Sequence, residues 1–175
     1  MSGHVLQEDF INNCLYRIDE SSRMVNICFN ELSDDQLWKK PNSSGNSIGN
    51  LVLHLCGNIR QYAISSLGNR PDVRNRGVEF EEGQNFSKIE LLSKLMNTVK
   101  EAKGVIFRVS KKELLRKRSV QGFDLSGSGI IIHVTEHYSY HTGQIALLTK
   151  LWKNQDLGFY DNFDLNIKND DQLPG

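Results

Sequence analysis

The chain is poor in the features that staple, anchor or charge a protein. It has only three cysteines, Cys14, Cys28 and Cys56, an odd number with no C-x-x-C pair among them. That argues against a disulfide framework and against a structural zinc site of the four-cysteine or Cys2His2 kind, and it fits a reducing cytoplasm. No apolar run approaches the ~18 residues of a membrane span, and the N-terminus has no basic-then-apolar signal. Cytoplasmic residence without a membrane partner is therefore the expectation. Charge of one sign is also lacking, because 21 basic residues balance 21 acidic ones. A nucleic-acid binder needs a basic face, so nucleic acid is not an expected partner. There is no internal repeat and no alternating strand pattern.

What remains is a chain of 175 residues that fits one domain, with 38% hydrophobic residues to build its core. From about Val5 to Leu32 the apolar positions follow a period near 3.6 and predict a first long helix. Ser33-Asp34-Asp35 opens a short turn, and Pro41 with Asn42-Ser43-Ser44-Gly45 breaks the chain. Ser47 then caps a second helix that runs through Leu51, Leu55, Ile59 and Ile64 to Leu67 and ends at Gly68-Asn69. Residues 69–86 form a connection longer than usual, with alternating charges that read as a solvated loop. Ser87-Lys88-Ile89-Glu90 is a capping box opening a third helix to Val109. Ser110 opens a further short turn through Leu115. The cluster Lys111, Lys112, Arg116, Lys117 and Arg118 reads as solvated surface, and residues 122–129 as a flexible approach with Ser126 or Ser128 as N-cap. A fourth helix runs from about Ile130 to Trp152. Beyond Asp156, Leu157, Phe159, Tyr160 and Phe163 can pack back, while 166–175 reads as a disordered tail of the domain spanning 1–165. Four long amphipathic helices predict an all-α four-helix bundle.

The chemistry gathers on the fourth helix. His133, His137 and His141 are three of the chain's five histidines. Spaced four apart, they stack on one face of a helix flanked by Ile130, Ile131 and Ile132 before and Ile145, Leu147 and Leu148 after. A buried imidazole needs partners for both ring nitrogens, and a metal is one such partner. His54 lies in the second helix among apolar residues. Its own stripe carries Asn50, Asn58 and Gln61, small and polar, which suits a lined cavity. Cys56 points away from that stripe and reads as core. One histidine from the second helix and two from the fourth would make a three-imidazole site with open positions, the catalytic rather than the closed structural kind. Spacing alone leaves open whether the pair is His133 with His137 or His137 with His141. Gln144, three residues beyond His141, is placed to orient a ligand or line the pocket. Zinc, nickel, iron and manganese all accept such ligands.

The run Ser47-Ile48-Gly49-Asn50-Leu51-Val52-Leu53-His54 followed by His133-x-x-Glu136-His137-x-x-x-His141-x-Gly143-Gln144 resembles the DinB/YfiT-like superfamily over roughly residues 5–160. Within it, the segment from Glu136 to Ile145 is similar to a subgroup defined only as a domain of unknown function. The resemblance implies a four-helix bundle, often dimeric, with three histidines on a divalent metal, commonly zinc or nickel. Carried over, the ligands are His54, His137 and His141, and His133 is not one. Thr142 departs from the arginine many members carry. Relatives include S-transferases and isomerases that use low-molecular-weight thiols. The leading expectation is a metal-dependent transferase or hydrolase that activates a thiol or water for attack on a small molecule, with Asn50, Asn58, Gln61 and Gln144 as pocket residues. The alternative is a metal-binding stress-response protein without turnover. A third reading takes His133-x-x-Glu136-His137 as a metalloprotease pair, which lacks a downstream helix for its third ligand. A homodimer would place Trp38, Tyr62 or Trp152 at its interface.

Overall fold

The computed structural model describes residues 2–82, 84 and 86–168. Four long helices make the bundle: α1 (Ser2–Glu31), α3 (Ile48–Ile59), α4 (Lys88–Phe107) and α6 (Gly127–Lys153). Two single-turn helices, α2 (Asp34–Trp38) and α5 (Lys111–Leu115), fill the connections. The expected all-α bundle is the observed one. The start signals work as read. Ser47 accepts the Asn50 backbone N–H at 3.1 Å. Ser87 and Glu90 close their reciprocal box, with Glu90 accepting the Ser87 N–H at 2.9 Å. Ser126, not Ser128, caps α6 by accepting from Gly129.

α3 does not stop at Ile59. It widens into a π-helical run over Arg60–Leu67, closed by the Gly68 N–H on the Ala63 carbonyl and by Asn69 at φ 54°. Such runs are rare and cluster near functional sites. α1 packs along α6, α3 sits against both α4 and α6, and one apolar core joins all four. Leu55, Leu91, Leu95, Ile106, Ile130 and Ile145 are fully buried within it.

Three expectations are corrected. Residues 122–129 are not a flexible approach: 123–126 is a strand and 127–129 is already the first turn of α6, and the strand pairs with the segment before it. Residues 117–126 form a hairpin of β1 (Lys117–Val120) and β2 (Phe123–Ser126), antiparallel, with Val120 opposite Phe123. Its two-residue turn, Gln121-Gly122, has φ of 52° and 83°, the positive pair that a right-twisted hairpin wants. The basic cluster is not all solvated, since Arg118 lies inward and is buried. Tyr62, offered for a dimer interface, is buried by its own chain, and Trp38 donates its indole N–H to the Phe86 carbonyl at 3.0 Å. Trp38 and Trp152 stay half-buried, each packed on one side against the core.

The tail folds back through Leu157, which is buried, and through the Phe159 carbonyl, which accepts from Arg23. Phe163 is exposed and meets Tyr160 edge-on. Most of the expected disordered tail, from Asn169 on, lies outside the described residues. Among the described residues no helix is long and apolar enough to cross a membrane.

Candidate metal centre

α3 presents His54 and α6 presents His137 and His141 toward one point. One nitrogen from each ring lies within 4.8 Å of the others. His54 Nε2 and His137 Nε2 are 3.0 Å apart. His54 and His141 are buried, and His137 is partly so. The i, i+4 spacing brings the His137 and His141 rings to 4.5 Å edge-on, while His54 meets each of them at about 5 Å.

The ladder divides at His133. Its ring stacks on Tyr62 at 4.0 Å, and its Nε2 takes the Asn58 amide at 3.2 Å. It stacks on His137 rather than pointing with it. Glu136 is exposed, so the protease arrangement that needs His133, Glu136 and His137 together is not formed.

Hydrogen bonds behind the rings determine which nitrogens face inward. Glu79 Oε2 accepts from His54 Nδ1 at 2.9 Å, and Gln144 Oε1 accepts from His141 Nδ1 at 2.6 Å. A proton on each Nδ1 leaves a lone pair on each Nε2. Burial, with His141 and His54 adding to it, drives the His137 pKa down to about 3, and burial lowers His141 too. So three ring nitrogens converge with at most one proton, on His137 Nε2, to place among them, an arrangement that a cation relieves. Metal–nitrogen bonds of about 2.0–2.1 Å place two ligand nitrogens of a tetrahedral ion roughly 3.3 Å apart. The observed 3.0 Å is close to that spacing. The cluster fits a divalent metal.

The long connection supplies what sequence reasoning does not reach. Its Gly77–Phe80 turn of 3-10 helix carries Glu79 under His54, and Arg74 closes on Glu79 from behind with Nε on Oε1 at 2.7 Å and Nη2 on Oε2 at 2.9 Å. The side chains of Arg74 and Glu79 are 3% and 8% exposed. Burial alone would raise the Glu79 carboxyl, but the Arg74 and His54 hydrogen bonds hold it below the usual carboxylate range. The expectation of a solvated loop fails here for a local reason: α3 leaves room for it. A Cβ on Gly57 would lie 1.9 Å from Glu79 Oε1. The readable signal was the opposite charges Arg74 and Glu79 in a long loop, together with a glycine in the stripe of His54.

The pocket residues expected from sequence divide by what they hold. Asn50 is buried, accepts the Ser47 hydroxyl and donates to the Glu79 carbonyl, tying the loop to α3. Gln61 accepts from Arg74 Nη1 and donates to Asp72. Asn58 holds His133, and its Oδ1 is buried without a partner among the described residues. Gln144 holds His141. Phe80 lies tilted 5.1 Å from His54, under the Arg76 guanidinium, and exposed Tyr140 meets His141 edge-on at 5.0 Å.

The depressed histidines make the metal-free fold acid-sensitive. The folded chain refuses protons that the unfolded chain accepts below a pH of about 6.5. Stability without metal should therefore be flat above that pH and fall steadily as pH drops toward 3, the value of His137. Thermal melts of chelator-treated protein between neutrality and acid check this. A His137→Ala variant should show a shallower fall, and equal slopes in both proteins would refute the cause given.

Comparison with known proteins agrees with this fold. A family model described as "Protein of unknown function (DUF1572)" matches residues 6–160. The crystal structure of a DinB-like protein from Bacillus cereus ATCC 10987 superposes with a TM-score of 0.62 at 15% identity, covering 82% of this chain and 90% of that one. A DinB-like protein from Bacillus subtilis, YjoA, gives 0.63 at 14% identity, covering 82% and 94%. At these identities the likeness is one of fold. No curated protein matches the chain.

Proposed function

We propose that this chain, which belongs to the DUF1572 family of proteins of unknown function, is a divalent-metal-dependent enzyme whose metal is held by His54, His137 and His141. The observation that carries the reading is the convergence of three imidazoles, two of them turned as Nε2 lone-pair donors by Glu79 and Gln144. Three imidazole nitrogens suit zinc or nickel, with iron and manganese also accommodated. When bound, such a cation supplies a lowered pKa to a thiol or water brought beside it, so that a nucleophile forms near neutral pH.

The chain's own residues then orient and select. Glu79, locked by Arg74, keeps His54 in one tautomer, and Gln144 does the same for His141. The rings of Phe80 and Tyr140 flank the centre and offer apolar faces to a small electrophile. Asn50 and Gln61 keep the loop in place, and Asn58 keeps His133 beside His137. The nucleophile does not come from the protein. Burial pushes the Cys56 thiol up to about 11, and burial likewise raises Cys14 and Cys28. A thiol that takes part must arrive as a low-molecular-weight cosubstrate, which favours transferase chemistry, with hydrolysis by water as the other branch.

The two branches separate in one experiment. Cobalt-loaded protein titrated with low-molecular-weight thiols should develop a sulfur-to-cobalt charge-transfer band, and with monochlorobimane should give conjugate above the metal-free control. An unchanged spectrum across several thiols removes the transferase branch and leaves hydrolysis.

A further inference from the structure

The basic cluster near the hairpin has no part in the metal chemistry, yet it is not arranged as plain surface. Arg70, Arg116 and Arg118 line a cleft of about 400 Å³ between the C-terminal end of the π-helical run and β1. Their charge is not matched locally. Glu101 serves both Arg60 and Arg70, at 3.0 and 2.8 Å. Glu113 serves both Arg116, at 2.9 Å, and Arg118. Two carboxylates thus answer four guanidinium groups. The one acid in the cleft wall, Asp72, already accepts from Gln61 and from the Arg74 backbone N–H. The cleft keeps an excess of positive charge.

Arg118 is the second observation. Its side chain is only 5% exposed, it donates through Nη1 to the carbonyls of Glu113 and Arg116, and its Nε has no partner among the described residues. A buried guanidinium with a free donor, next to Arg116, is short of negative charge. The rest of the wall is hydroxyl and amide. The Ser66 and Ser119 hydroxyls have no partner among the described residues, and no aromatic ring lines the cleft on which a base could stack.

We propose that this cleft binds a phosphorylated, hydroxyl-rich small molecule of the sugar-phosphate class. The oxyanion lies across Arg70 and Arg116 toward Arg118, and the polyol meets Ser66, Ser119 and the neighbouring amides. The arginine fork matches a phosphate in two-pronged fashion. A nucleotide is disfavoured by the absence of a stacking face, and an extended nucleic acid by the size of the cleft.

Isothermal titration with glucose 6-phosphate, inorganic phosphate and glucose tests the assignment on the whole chain. Glucose 6-phosphate should bind saturably at one site, more tightly than phosphate, with weakening as salt rises; glucose should not bind. Arg70 and Arg116 are exposed, so the Arg70→Gln, Arg116→Gln double variant should fold, and it should bind about tenfold or more weakly. Ser119→Glu, which sets a carboxylate in the exposed wall of the cleft, should weaken binding similarly. Affinity should be the same in chelator-treated and zinc-loaded protein, because the cleft uses none of the three histidines. Absence of saturable binding, binding indifferent to both variants, or binding that requires metal would each overturn the proposal. Phosphate binding as tight as the sugar phosphate would overturn its polyol half.

Discussion

Replacing His137 and His141 together by alanine should abolish stoichiometric metal binding while leaving the bundle folded. Both side chains project from one face of α6, a long helix that the fully buried Ile130, Ile131, Val134 and Tyr138 also anchor in the core. Alanine has the best helix propensity, so the backbone tolerates the change. The lost groups are neutral imidazoles whose lone pairs converge near that of His54, which contributes little to the metal-free fold. What disappears is linkage. A metal at a hundredfold excess over its dissociation constant stabilises the native state by about 2.7 kcal/mol, and the double variant should show none of that gain. Metal content after exchange into metal-free buffer, and the melting temperature with and without zinc, read the two effects separately. His133→Gln is the control, because His133 is held by Asn58 and Tyr62 rather than turned toward the cluster. It should keep full stoichiometry. Stoichiometric metal in the double variant would sink the ligand assignment, and loss of metal in His133→Gln would move the site one rung along the helix.

The reason His133 and His141 differ was not legible in the helix that carries them. The four-residue spacing makes all three rungs equivalent, and only the resemblance to a known superfamily separated them. The structure distinguishes them by what comes across from α3. His54 is one helical turn before Asn58, so the turn that meets His137 also delivers an amide to His133. Helix existence and start signals were legible, because Ser47, Ser87 and Ser126 act within three residues of themselves. The hairpin was not, because four-residue strands such as Lys117-Arg118-Ser119-Val120 carry too few positions to establish a period of two. The π-helical widening after Ile59 left no trace in an apolar pattern that α-helical spacing already explained. Arg74 and Glu79 were hidden for a different reason. Opposite charges five residues apart in a loop normally pair in solvent, and only the bare backbone of Gly57 lets this pair sink beneath His54.

That buried pair carries the other large effect. Glu79→Ala should destabilise the fold by about 3–5 kcal/mol, because it leaves the Arg74 guanidinium uncompensated in a nearly dry position. The Arg74 side chain is 3% exposed, and its remaining bonds would be one to Gln61 and a nitrogen 3.2 Å from His54 Nδ1. The same change removes the acceptor that keeps His54 protonated on Nδ1, so metal affinity should fall by about 10- to 100-fold. Stability and affinity separate in the double variant Arg74→Met, Glu79→Leu. With both charges gone and the volume filled, the fold should recover most of its loss, since an apolar replacement of a buried ion pair is often neutral or better. Metal affinity should not recover, because neither new side chain accepts a proton from His54. Gly57→Ala approaches the same site from α3: its methyl lies where Glu79 Oε1 now sits, so it should weaken metal binding with both charges still present. Denaturant unfolding of the metal-free proteins, paired with competitive metal titration, measures the two quantities independently. If the Met/Leu variant regains native metal affinity along with its stability, Glu79 serves only to neutralise Arg74, and His54 is oriented by the helix alone.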